Sequence, residues 1–155
     1  MFQAVVEAKS LVFPLQQMVQ TMGDAPPQQF LSQIVELGKA LVRDPAMVAA
    51  MRLLLPEAIR NERVRRVFVT QAIRPGLRAV AAYLTVQQAK GLLRPFDPQV
   101  GAQLWIGLLL SQILLSRLLR IRSPVPIDQL LAEALEVYLR GVLNPTTPKR
   151  GKKRK

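Results

Sequence analysis

Along this chain apolar residues return every three or four positions in six successive stretches, and proline, glycine and aspartate punctuate the gaps. That spacing predicts six amphipathic helices. From Phe2 the first carries Val5, Val6, Val12, Leu15, Met18, Val19 and Met22, with Pro14 expected to kink it by removing a backbone donor. Gly23-Asp24-Ala25-Pro26-Pro27 ends it and starts a second, whose broad apolar face holds Phe30, Leu31, Ile34, Leu37, Leu41 and Val42. Asp44-Pro45 opens a short third helix, with Met47, Val48, Met51, Leu54 and Leu55, predicted to end near Pro56.

A long fourth helix is predicted from about Asn61 to Lys90, bent at Pro75-Gly76. The stretch KGLLRPFDPQVGA, Lys90 to Ala102, then holds the sharpest punctuation in the sequence. Gly91 suits a left-handed cap that stops the long helix, and Asp97-Pro98 repeats the start device of the third, so this segment reads as a helix-to-helix corner. The fifth helix is predicted to reach about Ile121. After Ser123-Pro124-Val125-Pro126, a sixth helix carries Ile127, Leu130, Leu131, Ala134, Leu135, Tyr138 and Val142, and Asn144-Pro145 stops it.

Composition fits this picture. A chain of 155 residues is one domain, and half its residues are apolar while only 5% are aromatic, a palette suited to helix packing. The expectation is an all-α domain over residues 1–144 and a disordered basic tail over 145–155, too polar and proline-rich to be buried. The run Leu104 to Leu115 is the nearest approach to a membrane span, but Gln112 interrupts it and Arg117, Arg120 and Arg122 close it; runs of this length belong to buried helices. Glu7 and Lys9 break any apolar signal region at the start, and the absence of cysteine fits a reducing cytoplasm.

Charge and chemistry narrow the function. With no cysteine and no histidine, thiolate nucleophiles, imidazole bases, disulfides and the usual zinc sites are excluded. Glu133 and Glu136 are the best carboxylate pair and read as surface charges, so neither an enzyme nor a cofactor is expected, nor a metal. Of the net charge of +12, half is the tail: Lys149, Arg150, Lys152, Lys153, Arg154 and Lys155. Such a run holds polyanions weakly and without reading sequence. The arginines at 60, 63, 65, 66, 74 and 78, interspersed with Glu57 and Glu62, suit a solvated helix face.

The order of these elements, with "AAYLTVQQAKGLLRPFDPQVGAQLWIGLLL", "IDQLLAEALEVYLRGVL" and the opening "MFQAVVE", resembles the C-terminal regulatory domain of TetR/AcrR-type transcriptional regulators over roughly Phe2 to Leu143. The resemblance implies a six-helix bundle whose last two helices, residues 98–121 and 127–143, form a four-helix bundle with a second copy. Gly107, Leu108, Ser111, Leu115, Leu131, Leu135 and Tyr138 are the expected dimer residues. It also implies an effector cavity among the second to fifth helices, with flexible Met18, Met22, Met47 and Met51, walls of Phe30, Phe68 and Trp105, and Gln71 and Gln112 to orient a polar group. The expected partners are thus a second copy and a small, mostly apolar effector. In this family a helix-turn-helix before such a domain reads DNA; Met1 stands where that module ends, so sequence-specific DNA binding is not expected of these 155 residues. A different class of function is a basic helical bundle that docks non-specifically on nucleic acid or an anionic membrane through its tail.

Overall fold

The computed structural model describes residues 14–145; the expected opening of the first helix, before residue 14, and the expected tail from 146 onward lie outside the described residues. Six helical rods follow one another. They are α1 (residues 14–22), α2 (Pro27–Arg43), α3 (Pro45–Arg60), α4 (Glu62–Phe68, Val69–Ile73 and Arg74–Ala89 end to end), α5 (Pro98–Ile113 and Leu114–Leu118) and α6 (Ile127–Val142). The described residues contain no strand, only an isolated antiparallel bridge between Leu93 and Leu143.

Helix starts follow the punctuation. Asp44 Oδ1 accepts from the Ala46 amide at 2.9 Å and Asp97 Oδ1 from the Gln99 amide at 2.8 Å, each with proline at the first helical position. Asn61 does the same for α4, accepting from the Arg63 amide at 3.0 Å.

Helix ends depart from the sequence reading in three places. The third helix does not stop near Pro56 but runs through it to Arg60. Leu54 and Ala58, on either side of that proline, are buried, while Pro56 and Arg52, whose carbonyl the ring orphans, lie exposed to water. Packing thus outweighs one lost bond. Pro75 marks not a simple bend but a π segment, Val69–Ile73, in which the Arg74 amide bonds the Val69 carbonyl five residues back. The wider turn takes up the missing proline donor without ending the rod. The fifth helix widens the same way over Leu114–Leu118 and ends there, short of Ile121, at Arg120 in the left-handed region with φ 54°.

At the opposite corner Gly91, φ 75°, closes α4 with the paired bonds of a Schellman cap, Leu92 amide to Gln87 carbonyl at 3.1 Å and Gly91 amide to Gln88 carbonyl at 2.9 Å. The corner is then tied to the end of α6: the Arg94 amide bonds the Val142 carbonyl at 2.9 Å and the Asn144 amide bonds the Leu92 carbonyl at 3.0 Å.

The main core lies between α2, the second half of α4, α5 and α6. Phe30 stacks on Tyr83 with centroids 3.6 Å apart, and Trp105 packs on Tyr138 at 4.9 Å. Phe30, Leu31, Leu84 and Trp105 are fully buried, each contributing roughly 1.5–3 kcal/mol if an apolar side chain of this size leaves water. A smaller cluster, Ala50, Leu54, Ala58 and Phe68, joins α3 to the first half of α4.

Candidate functional site

Two polar side chains on α4 fix the α1–α2 turn over the main core. Tyr83 donates its hydroxyl to the Ala25 carbonyl at 2.6 Å, and Gln87 donates Nε2 to the Gly23 carbonyl at 2.9 Å. Burial pushes the Tyr83 phenol well above its ordinary range. Gln87 is wholly buried, and its Oε1 has no partner. Across the core, Trp105 is also wholly buried, and its indole Nε1 has no acceptor. Orphaned polar atoms at this depth are rare, because each forfeits its hydrogen bond to water. Neither Tyr83 nor Gln87 was singled out as a candidate by its sequence. The signal was present: 80, 83, 84 and 87 share one helix face, so a glutamine there is a polar group at a core register.

The residues expected to line an effector cavity divide between the two clusters. Phe30 and Trp105 sit in the main core with Met18 and Met22 packed against it, whereas Phe68 and Met51 belong to the cluster under α3. Met47 is buried on α3 outside both. Gln71 is exposed in the π segment, and Gln112 donates Nε2 to Ser111 Oγ at 3.3 Å. The structure therefore assigns Met18, Met22, Phe30 and Trp105 to the main core and sets the others apart from it.

The expected dimer residues also lie in two settings. Leu115 is exposed, as is Gly107, where an added Cβ would meet nothing within 4 Å. Leu108 and Leu135 are half-buried against the main core, and Ser111 turns its hydroxyl to the Leu108 carbonyl at 2.8 Å. Leu131 and Tyr138 are buried inside the single chain, where the Tyr138 hydroxyl donates to the Gly101 carbonyl at 2.7 Å. Sequence periodicity missed the most exposed apolar positions of these two helices, Leu104 at 61% and Val137 at 70%. Val100, Leu104, Leu110 and Leu114, which share one side of α5 by helical spacing, are all exposed. Pro98–Leu118, 21 residues, is long and apolar enough to cross a membrane by length and composition.

A cleft of about 470 Å³ opens elsewhere, where the end of α2 and the outer face of α3 meet the last turn of α5. Val42, Pro45, Val48 and Ala49 form its apolar wall, and Arg43, Arg52, Arg117 and Arg120 its basic one, with Ser116 between. None of the expected effector residues lines it. The arginines at 60, 63, 65, 66, 74 and 78 are exposed; Arg60 pairs with Glu57 at 3.4 Å and Arg66 with Glu62 at 3.1 Å, a solvated face. Glu133 accepts from Gln129 and Glu136 pairs with Arg140 on the surface of α6. No cluster of acidic or histidine side chains able to hold a metal occurs among the described residues.

Comparison with known proteins bears on what such a bundle does. The family model described as "AefR-like transcriptional repressor, C-terminal domain" matches residues 29–141. A solved structure from Mesorhizobium loti MAFF303099, described as a TetR-family transcriptional regulator, superposes with a TM-score of 0.73 over 91% of this chain and 72% of its own, at 16% identity. No curated protein sequence matches.

Proposed function

The chain belongs to the family of AefR-like transcriptional repressor C-terminal domains, and from that premise we propose that this non-enzymatic regulatory domain works as a cytoplasmic homodimer that binds a small, mostly apolar effector. The observation that carries the effector is the orphaned indole of Trp105. A buried donor without an acceptor is stabilised by a ligand that brings one, and the same core carries Met18, Met22 and Phe30, whose adaptable and aromatic side chains suit the apolar part of such a ligand. The unpartnered Gln87 Oε1 adds an acceptor in the same core.

The dimer reading rests on the open face of α5 and α6. Val100, Leu104, Leu110, Leu114 and Leu115 leave one side of α5 apolar and exposed, with Val137 exposed on α6, and contiguous apolar surface of this kind favours a protein interface. A second copy related by a two-fold axis covers it, and a helix with that much uncovered apolar surface is explained by a protein partner without invoking lipid. Sequence-specific DNA recognition is the work of a helix-turn-helix, which the described residues do not include. Effector binding acts by favouring one helix arrangement over another, so its reach is set by the difference in affinity for the two.

Thermal melts and the emission of the single tryptophan test the effector. Apolar compounds that carry one carbonyl acceptor should raise the melting temperature and shift Trp105 fluorescence, and matched hydrocarbons should do so less. No response across a broad hydrophobic set removes the effector. Sedimentation at micromolar concentration tests the dimer, which a stable monomer would end.

A further inference from the structure

We propose that the cleft between α2, α3 and the end of α5 is a second site, taking a small amphipathic carboxylate whose apolar body lies along α3 and whose carboxylate meets the arginines. At about 470 Å³ the cleft is of the size that holds a small organic molecule. Its lining is divided by chemistry. Val42, Pro45, Val48 and Ala49 offer apolar contact, while the four basic residues Arg43, Arg52, Arg117 and Arg120, and no acidic one, line the same opening.

The nearby acids leave that charge mostly unanswered. Asp44 is engaged with the Ala46 amide at the start of α3, and Asp128 reaches Arg43 at 3.8 Å while also meeting Lys39 at 3.5 Å. Arg43 thus has a partner in Asp128, while Arg52, Arg117 and Arg120 have no ion pair among the described residues; like charges gathered this way repel one another, and a carboxylate, which guanidinium forks bind in pairs of hydrogen bonds, relieves this. A bare inorganic anion would leave the apolar wall wet, and a neutral apolar compound would leave the charge. An amphipathic anion answers both.

The backbone supports the same reading. Arg52 donates Nη2 to the Arg117 carbonyl at 2.6 Å, so α3 holds the end of α5 in place across the cleft. Arg120 follows at φ 54°, the sole non-glycine residue in the left-handed region among the described residues. A glycine at this position would be free of strain; an arginine there is retained against a backbone cost, as happens where a side chain serves a site. The π segment Leu114–Leu118 lies just before it and carries Ser116 and Arg117 into the lining.

Octanoate, octan-1-ol and inorganic phosphate, added to the 155-residue chain, test the proposal by thermal shift and calorimetry. Octanoate is expected to bind and raise the melting temperature, with octan-1-ol and phosphate giving at least tenfold weaker binding. Arg120→Gly, which deletes the charge and relaxes the backbone, should weaken octanoate at least tenfold in a protein that melts no lower than the parent. Arg43→Gln, at an exposed side chain, should weaken it severalfold, and Val48→Trp should block it with every arginine kept. Trp105 is not in the lining, so any change in its emission belongs to the core site and should be the same in these variants as in the parent. Equal binding of octanol or phosphate, octanoate affinity unchanged in Arg120→Gly and Arg43→Gln, or no octanoate binding would each overturn the site. Loss of the core effector site alone would leave these results unchanged.

Discussion

Tyr138 on α6 donates its hydroxyl to the carbonyl of Gly101 on α5 at 2.7 Å, beneath the ring of Trp105, and that bond joins the two helices inside one chain. Tyr138→Phe keeps the ring and removes the bond, so it should cost about 1 kcal/mol, read as a lower denaturation midpoint with an unchanged slope.

The same burial gives a pH dependence. Burial raises the Tyr138 phenol from its ordinary 10.0 to about 12 and moves Tyr83 in the same direction. A folded-state pKa above the unfolded one means that the unfolded chain loses its proton first. Stability is therefore intact below about pH 10 and is lost as pH rises from there towards 12. Melts taken across that range should fall steeply, and Tyr138→Phe should flatten part of the fall.

Gly101 is small because of its neighbours. A Cβ built there would collide with Phe96 Cε2 and lie 3.1 Å from Leu84 Cδ1. Gly101→Ala must displace the Phe96 ring at the corner, and about 1–3 kcal/mol of destabilisation is expected by chemical denaturation despite the better helix propensity of alanine.

Gly91 and Arg120 make an opposed pair. Both end a long helix with positive φ, 75° and 54°. Nothing lies within 4 Å of a Cβ at Gly91, so Gly91→Ala should cost about 1 kcal/mol for backbone strain alone. Arg120→Gly should gain a similar amount, about 1 kcal/mol, because it removes that strain. Melting curves of the two variants should move in opposite directions.

Leu104→Glu tests the open face. Its side chain is 61% exposed in the single chain, so the substitution should leave the helical content and fold intact. In a dimer it places a charge in an apolar interface, and the sedimenting species should change from dimer to monomer.

The sequence alone carried the number and order of the helices, because period and punctuation are local: Asp44 and Asp97 each need only the amide two residues on, and Gly91 needs only its own φ. The family was legible too, since it is written in that order. Local rules failed where packing competed with them. Pro56 is a stop signal, yet Leu54 and Ala58 are held in the small core and carry α3 past it. Pro75 is absorbed into a π turn.

What only the tertiary structure decided is which side chains meet. Met51 and Phe68 hold apolar register positions on their helices as Met18 and Trp105 do on theirs, but fall in a different cluster, because α3 and the first part of α4 pack on each other. Leu131 and Tyr138, apolar and well spaced for a dimer seam, are used up within the chain, while Leu104 and Val137 are left outside. The cleft at Arg120 joins residues more than 70 positions apart, from Val42 to Arg120. Periodicity fixes a side chain's angle around its own helix; only the docking of one helix on another fixes what stands opposite.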